Sequence, residues 1–492
     1  MRRRAAGRLI AVVAEATQYI QRHQNNSTIP DRAMKLTSRY SVLFTAATAL
    51  VALVGCEQAP APRFHLNPVV MVSNEISPEY QQEVANVLAA MFGTPDAPYA
   101  LPESGLNQQR LTLAAGAAWS DKQGVDRGLY RKHCVHCHGI NGDGRGPTAR
   151  FLNPYPRDYR QGVFKFKTTF NPAKPTDADL RRVLNNGVPG TSMPSFSLLT
   201  ESEVDALLEY VKYLSIRGEM ETKLAQYVYD ELGEAEKEDE NGNPVLDEDG
   251  NPVMERPPFD PATNPEQGEV VKEILTEVMA PWQEASDQVI VPAEDGIPED
   301  NRTPEEIGES VAKGRELFYG TKANCFTCHG PTGLGDGQQN DYDIWSKEQK
   351  AFQDATAQLQ ESIVSQQKEI ARLGREGKET DEEEAKLAAD EATLALRQPV
   401  AHSFYPIRNA IPRNLRKGVY RGGRRRLDLY CRVSAGIAGT PMPGVGAAAP
   451  GAQGTLSDEE IWNVVDYVLN LPYEPASNPQ PALPWNSDQI AN

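Results

Sequence analysis

Apolar residues recur at helical spacing in widely separated parts of this 492-residue chain. Residues 78–92 carry them on one face of a helix, which Gly93 ends. Helices are also predicted to begin at Thr200 and Ser457, because each is followed three residues later by a glutamate that can complete a capping box. A shorter helix is expected over residues 124–132. The pattern as a whole indicates a mainly α protein.

The longest helical pattern lies at about residues 345–398. Its first part spaces apolar residues by seven or by three to four positions, as in the seam of a coiled coil, and glycines at 374 and 377 separate it from a leucine-bearing second part. This pattern predicts an antiparallel helical hairpin. The apolar residues are Phe352, Leu359, Ile363, Ile370 and Leu373, and then Leu387, Leu394 and Leu396.

The middle of the chain is acidic and contains a short repeat. Asp239-Glu-Asn-Gly-Asn-Pro-Val245 returns eight residues later as Asp247-Glu-Asp-Gly-Asn-Pro-Val253. A calcium loop of the EF-hand type needs glycine at its sixth position and glutamate at its twelfth, whereas this repeat has glycine fourth and proline sixth. A small surface hairpin is therefore predicted, with one more helix around residues 270–278.

The net charge and mean hydropathy of the chain argue against two classes of protein. The formal net charge is −18, and residues 1–55 carry a net +6, which leaves −24 for the rest of the chain. Such acidity argues against nucleic-acid binding, which selects basic faces, and favours a basic patch on any protein partner. A mean hydropathy of −0.53 excludes a polytopic membrane protein.

The N-terminal region has the pattern of an export signal. Basic residues follow Met34, an apolar run spans residues 41–54, and the run ends in Leu53-Val54-Gly55-Cys56. This ending resembles the lipobox of bacterial lipoproteins, which implies cleavage before Cys56 and lipidation of that cysteine. We therefore expect translation to start at Met34 and the mature chain to be lipid-anchored on the periplasmic side of a bacterial membrane. An uncleaved anchor is the alternative, although the run is short for a membrane-spanning helix.

Two cysteine motifs carry the chemistry. Cys134-Val-His-Cys137-His138 recurs as Cys325-Phe-Thr-Cys328-His329, and the two runs use four of the six cysteines. Cys-x-x-Cys-His is the attachment pattern of c-type haem, in which both thiols form thioethers and the histidine binds the iron. Two covalently attached haem c groups are predicted, with His138 and His329 as iron ligands.

Further matched positions follow each motif. Met193 and Met442 each precede a proline and follow a Gly-Thr pair, and a thioether is a soft ligand for haem iron. Both are predicted as distal iron ligands, with His402 a weaker rival to Met442. Arg157 and Arg413 also match, and we expect their guanidinium groups to contact a haem propionate or to order the loop beside it. The matched methionine segments are Gly187-Val-Pro-Gly190-Thr191-Ser-Met193-Pro194 and Gly436-Ile-Ala-Gly439-Thr440-Pro-Met442-Pro443.

This order of elements resembles the class I cytochrome c fold, in which the first and last helices cross. The duplicated order resembles bacterial di-haem cytochromes c built of two such domains in tandem. The second copy differs by a 65-residue excess between its histidine and its arginine, which the helical hairpin occupies. The resemblance implies the following regions: a signal region at 1–55, a tether and helical extension at 56–119, a first cytochrome c domain at 120–218, an acidic linker at 219–300, a second cytochrome c domain at 301–475, and a tail at 476–492.

The leading functional hypothesis is a membrane-tethered carrier of single electrons between redox proteins of a respiratory chain, either alone or within an oxidase or quinol-oxidising complex. The alternative is a di-haem enzyme, such as a peroxidase or a thiosulfate- or alcohol-oxidising protein, whose distal methionine can be displaced. A scaffold subunit with relay haems is a third hypothesis. The hairpin is expected either to dock a partner or to pack over its own domain.

Overall fold

Helices dominate the fold, as the apolar pattern predicts. The computed structural model describes residues 61–233, 235–237, 244–247, 252–292 and 301–474. Cys56, the predicted signal region and the predicted tail lie outside the described residues. Residues 62–292 are called the first half below, and residues 301–474 the second half.

The helices of the first half pack around one long helix. The predicted helix over residues 78–92 is confirmed, and it buries Tyr80, Val84, Leu88 and Phe92. The strands β1 (Trp119–Ser120) and β2 (Asp126–Arg127) pair antiparallel. The helices are α1 (Pro68–Ser73), α2 (Pro78–Phe92), α3 (Gln108–Ala114), α4 (Leu129–His133), α5 (Val135–His138), α6 (Asp177–Asn186) and α7 (Glu201–Glu231).

The helix before the first cysteine motif is shorter than predicted. It begins at Leu129, because Gly124, with φ +80°, lies in the turn that leads into β2, and Gly128, with φ +67°, turns the chain out of that strand. A side chain at Gly128 would fall 2.3 Å from the backbone oxygen of Ala117. The helix predicted over residues 124–132 is therefore present from Leu129, and its predicted start was wrong because two backbones approach closely at Gly128.

Helix α7 begins with the predicted capping box at Thr200 and runs on to Glu231 without a break at residue 218. Its last turns bury Met220, Leu224 and Val228 against the surrounding elements of the first half. The sequence predicts a linker from residue 219 onward, but burial of this apolar surface stabilises the helix as far as Glu231. Helices α2, α3 and α6 pack against α7.

The acidic repeat region contains short extended segments. Strands β3 (Ala235–Glu236) and β4 (Met254–Glu255) pair antiparallel. Between them, Val245 N donates to Lys237 O over 2.7 Å, and Val253 N donates to Val245 O over 2.8 Å. These bonds agree with a small surface hairpin, although the turns at 238–243 and 248–251 lie outside the described residues. Helix α8 (Pro265–Gln283) follows, capped by Asn264, and packs on α7.

In the second half the first and last helices cross in close contact. The crossing point is Gly314, where a side chain would fall 1.8 Å from the backbone oxygen of Asn463. Beside it, Ser310 Oγ lies 2.7 Å from Asn463 Oδ1 and 2.6 Å from Asp466 Oδ2. The helices of this half are α9 (Pro304–Tyr319), α10 (Phe326–His329), α11 (Ile344–Arg375), α12 (Asp381–His402), α13 (Arg426–Ala435) and α14 (Asp458–Asn470).

Helices α11 and α12 pack together where the sequence predicts a hairpin. Phe352, Ile363 and Leu373 are buried along the seam, but Leu396 is 61% exposed, and Val400 is the buried residue near the end of α12. The helical register of α12 turns Leu396 away from the seam. None of the described helices combines the length and apolar character that crossing a bilayer requires.

The base of this helical pair packs on the first half of the chain. Arg145 Nη1 donates to Ser403 Oγ over 3.2 Å, and the Arg145 guanidinium lies over the ring of Phe404. Gln161 Nε2 donates to Glu348 Oε2 over 2.5 Å. The hairpin therefore joins the two halves at its base.

The crossing of α9 and α14 yields a test of the packing. Replacing Gly314 with alanine should destabilise the protein by about 1–3 kcal/mol, because the new methyl group meets a backbone oxygen that cannot move without separating the helices. The change in the free energy of unfolding is measured by denaturant titration.

Gly308 is the matched control, because it lies in the same helix and a methyl group added there would have no atom within 4 Å. Gly308→Ala should leave stability unchanged or raise it by about 0.5–1 kcal/mol through helix propensity. Equal effects of the two substitutions would contradict the close crossing.

Candidate cofactor site

The first cysteine motif lies at the junction of α4 and α5, with Cys134 between the two helices. His138 is buried, and its Nδ1 donates to the backbone oxygen of Arg157 over 3.1 Å. Burial lowers the pKa of His138 to about 4, so the imidazole is neutral near pH 7. Because Nδ1 carries the proton, Nε2 keeps a lone pair that can bind a metal. The ring stacks on Tyr159 with 4.6 Å between centroids.

The second motif repeats this bond. His329 Nδ1 donates to the backbone oxygen of Arg413 over 3.2 Å, and burial lowers the pKa of His329. Its ring lies 6.3 Å from that of Phe318, centroid to centroid. Carbonyl groups at matching positions therefore hold the two histidines in the same tautomer. The sequence separation between histidine and arginine is 19 residues in the first half and 84 in the second.

Glycines bring each arginine carbonyl to its histidine. Gly144 N donates to His138 O over 2.9 Å, and Gly335 N donates to His329 O over 2.8 Å. A side chain at Gly144 would fall 2.6 Å from Pro156 O, and one at Gly335 would fall 2.4 Å from Pro412 O. The glycine-rich loop after each motif therefore holds the segment that precedes the arginine, which is a structural role.

The two methionine loops share one hydrogen-bond pattern. Thr191 Oγ1 accepts from Met193 N over 3.1 Å and donates to Val188 O over 2.8 Å, while Val188 N donates to Met193 O over 3.1 Å. In the second loop, Thr440 Oγ1 accepts from Met442 N over 3.3 Å and donates to Ile437 O over 2.8 Å. Ile437 N donates to Met442 O over 3.1 Å. The threonine in the Gly-Thr pair is therefore the residue that closes each loop.

One continuous cavity of about 1990 Å³ connects the two motifs. Ordinary small-molecule pockets measure about 300–1,000 Å³, so this cavity has room for more than one large ligand. His402, the rival to Met442, is exposed at the end of α12 and does not line the cavity. The predicted site residues that line it are Cys134, Cys137, His138, Arg157, Met193, Cys325, Cys328, His329, Arg413 and Met442.

The cysteine pairs fit covalent attachment better than coordination of a bare metal ion. Burial raises the pKa of Cys134 and of Cys325 to about 12, which keeps both thiols neutral and disfavours metal-binding thiolates. Within the described ranges, no three His, Cys, Asp or Glu side chains converge as a metal-binding group. Cys431 is buried and unbridged in the second half.

The side chains of Arg157 and Arg413 each contact a residue of the opposite half. The Arg157 guanidinium lies 3.2 Å from the centroid of the Trp345 ring at the start of α11. Arg413 Nε donates to Val419 O over 3.0 Å, and its Nη2 reaches the backbone of Gly190 in the first methionine loop. Trp345 was not predicted as a site residue, and its only signal in the sequence is an indole near the start of the predicted hairpin.

The sequence model of the family described as cytochrome c matches residues 127–215. This part of the chain is a cytochrome c domain, and the family implies covalently bound haem c and electron transfer. The neutral His138, the paired thiols of Cys134 and Cys137, and the large cavity all fit that group.

Two other comparisons add little. A solved structure of the reducing HAO-like protein complex of Kuenenia stuttgartiensis aligns with a TM-score of 0.37 and 19% identity, over 72% of this chain and 97% of that chain. A similarity at that level carries no argument about fold or function. Comparison with curated proteins gives no match.

The methionine loops yield a test that needs only stability measurements. Thr191→Val keeps the shape of the side chain but removes the hydroxyl that bonds Met193 N and Val188 O. The free energy of unfolding should fall by about 0.5–1.5 kcal/mol, because Met193 N loses its partner, whereas Val188 O keeps the bond from the backbone N–H of Thr191. Thr191→Ser keeps the hydroxyl and should cost less. Equal losses for the two variants, measured by denaturant titration, would show that the bonds do not hold the loop.

Proposed function

We propose that the chain is a di-haem cytochrome c that carries single electrons. The observation that carries this proposal is the repetition of the site. The second half has the same histidine-to-carbonyl bond and the same threonine-closed methionine loop as the matched cytochrome c domain, around one shared cavity. A second class I cytochrome c domain, interrupted by the α11–α12 pair, accounts for that repetition.

Each half supplies the groups that one haem needs. Cys134 and Cys137 hold the first haem, and Cys325 and Cys328 hold the second. The bound iron supplies one-electron redox chemistry. The protein holds the neutral imidazoles of His138 and His329 by their Nδ1 bonds.

The distal ligands are Met193 and Met442, whose loops are closed by Thr191 and Thr440. A methionine ligand raises the reduction potential relative to a second histidine, which suits a carrier that accepts and passes on electrons. Both methionines line the cavity that contains the histidines.

The enzyme hypothesis requires an open or displaceable position at one iron. The two methionine loops have the same bonds to within 0.2 Å, at 3.1 and 3.3 Å for the bond from the methionine N–H. These internal bonds mark neither methionine for displacement, so electron transfer is the better supported function.

The cellular setting belongs to the same proposal. The pattern of residues 34–56 supports export, lipidation of Cys56 and attachment to the periplasmic side of a bacterial membrane. Haem c attachment outside the bacterial cytoplasm agrees with export. The partners are then redox proteins of a respiratory chain, with basic surfaces that meet the acidic chain. The outer part of the α11–α12 pair is the proposed docking arm.

The number of haems tests the proposal directly. The full chain, produced with c-type maturation, should carry two covalently bound haems by intact mass and by pyridine haemochrome absorbance. Cys134→Ala with Cys137→Ala should remove one haem, and Cys325→Ala with Cys328→Ala should remove the other. A wild-type protein with a single haem, unaffected by the second pair of substitutions, would contradict the proposal.

The distal ligands are tested by the near-infrared charge-transfer band of ferric haem with methionine bound. Both haems should contribute to this band. Met193→His and Met442→His should each remove one contribution and lower the potential of one haem, because histidine replaces the thioether. An unchanged band in either variant would show that the substituted methionine is not a ligand.

A further inference from the structure

We propose that Arg413 and Arg157 position the methionine loop of the opposite half, so that each haem's distal ligand depends on the other half of the chain. The inference rests on the proposed function, because it assigns a role to the arginines in a two-haem protein. It differs from the expectation that each arginine serves a propionate in its own half.

Arg413 contacts both halves of the site. Its backbone oxygen accepts from His329 Nδ1 in its own half. Its guanidinium is fixed by the 3.0 Å bond from Nε to Val419 O and points at the first half. A side chain at Gly190 would fall 2.2 Å from Arg413 Nη2 and 3.3 Å from the side chain of Val419. The guanidinium therefore packs closely against the first methionine loop at Gly190, three residues before Met193.

Arg157 is linked to the second methionine loop through the side chain of Trp345. Its backbone oxygen accepts from His138 Nδ1, and its guanidinium lies against the Trp345 ring. A side chain at Gly439 would fall 2.7 Å from Trp345 Cη2, and Ile344 N donates to Gly439 O over 3.1 Å. Trp345 thus stands against the second methionine loop in the place that Arg413 takes against the first.

The two glycines at these contacts correspond. Gly190 and Gly439 each precede the methionine by three residues, and their φ angles are +70° and +71°. Gly190 lacks a side chain where Arg413 of the second half approaches, and Gly439 lacks one where Trp345 of its own half approaches. At the first loop the contact between halves is made by Arg413 itself, and at the second loop it is made by Arg157 through Trp345.

The electrostatic consequence has a definite sign. A guanidinium near the iron stabilises the reduced form, which carries less positive charge, and so raises the potential. A loosened methionine lowers the potential, because the thioether favours the reduced iron. Removing Arg413 should therefore lower the potential of the first haem by both routes. The second haem should lose only the electrostatic contribution and change less, because its methionine loop lies against Trp345 and not against Arg413.

The test resolves the two haems by using a background in which one methionine is replaced. In Met442→His protein the remaining near-infrared band reports Met193 alone. Adding Arg413→Ala should cause loss of much of that band and a fall in the first haem's potential, measured by potentiometric titration. Arg413→Lys, which keeps the charge, should restore part of the potential.

Arg408 provides the matched control, because it also bridges the halves. Its Nη1 donates to Leu152 O over 2.5 Å, and its guanidinium lies 3.9 Å from the centroid of the Tyr155 ring. Arg408→Ala removes a contact between halves without touching either methionine loop through these bonds, so the Met193 band should persist.

The mirror experiment uses Met193→His protein. Trp345→Ala should there diminish the band of Met442, whereas Trp345→Phe should retain most of it. If Arg413→Ala cannot be produced, Gly190→Ala displaces the guanidinium without replacing it and should weaken the same band. Gly105→Ala controls for backbone strain, since Gly105 has φ +65° and nothing within 4 Å.

The outcomes separate the two proposals. A parent Met442→His protein with two haems but no near-infrared band would refute methionine ligation of the first haem, which belongs to the proposed function. A parent with the band, in which Arg413→Ala shifts only the second haem or neither, would overturn the cross-half positioning and favour the propionate expectation.

Discussion

The hydrogen bond from each histidine's Nδ1 to the backbone oxygen of an arginine is the constraint around which both sites are built. It fixes the tautomer that leaves Nε2 available for iron, and burial keeps the ring neutral. The bond needs the arginine segment to lie against the glycine-rich loop, which Gly144 and Gly335 permit by having no side chain. The histidine, the glycine-rich loop and the arginine position are therefore one structural unit in each half.

Because these units face one cavity, the two arginines acquire a second role through their side chains. Their carbonyl groups serve the histidine of their own half, and their guanidinium groups reach toward the methionine loop of the other half. The α11–α12 pair takes part in this arrangement at its base, where Trp345 lies between Arg157 and Gly439. Trp345 thus distinguishes the second site from the first, where Arg413 itself meets the methionine loop.

Features with a local signal could be predicted from the sequence. The α2 helix, the capping box at Thr200 and the matched methionine segments each depend on neighbouring residues. The late start of α4 and the continuation of α7 to Glu231 could not be predicted, because close backbone approach and burial against distant elements decide them. The arginine positions were found by their repeat, but the destinations of their side chains depend on how the halves meet.

The shared cavity is tested most directly by electron paramagnetic resonance of the full-length protein at stepwise potentials. In the proposed di-haem protein the two ferric haems should interact magnetically when both are oxidised, and the signal of the remaining ferric haem should change when the other is reduced. Two signals that add independently at every potential would contradict a common cavity for the two haems.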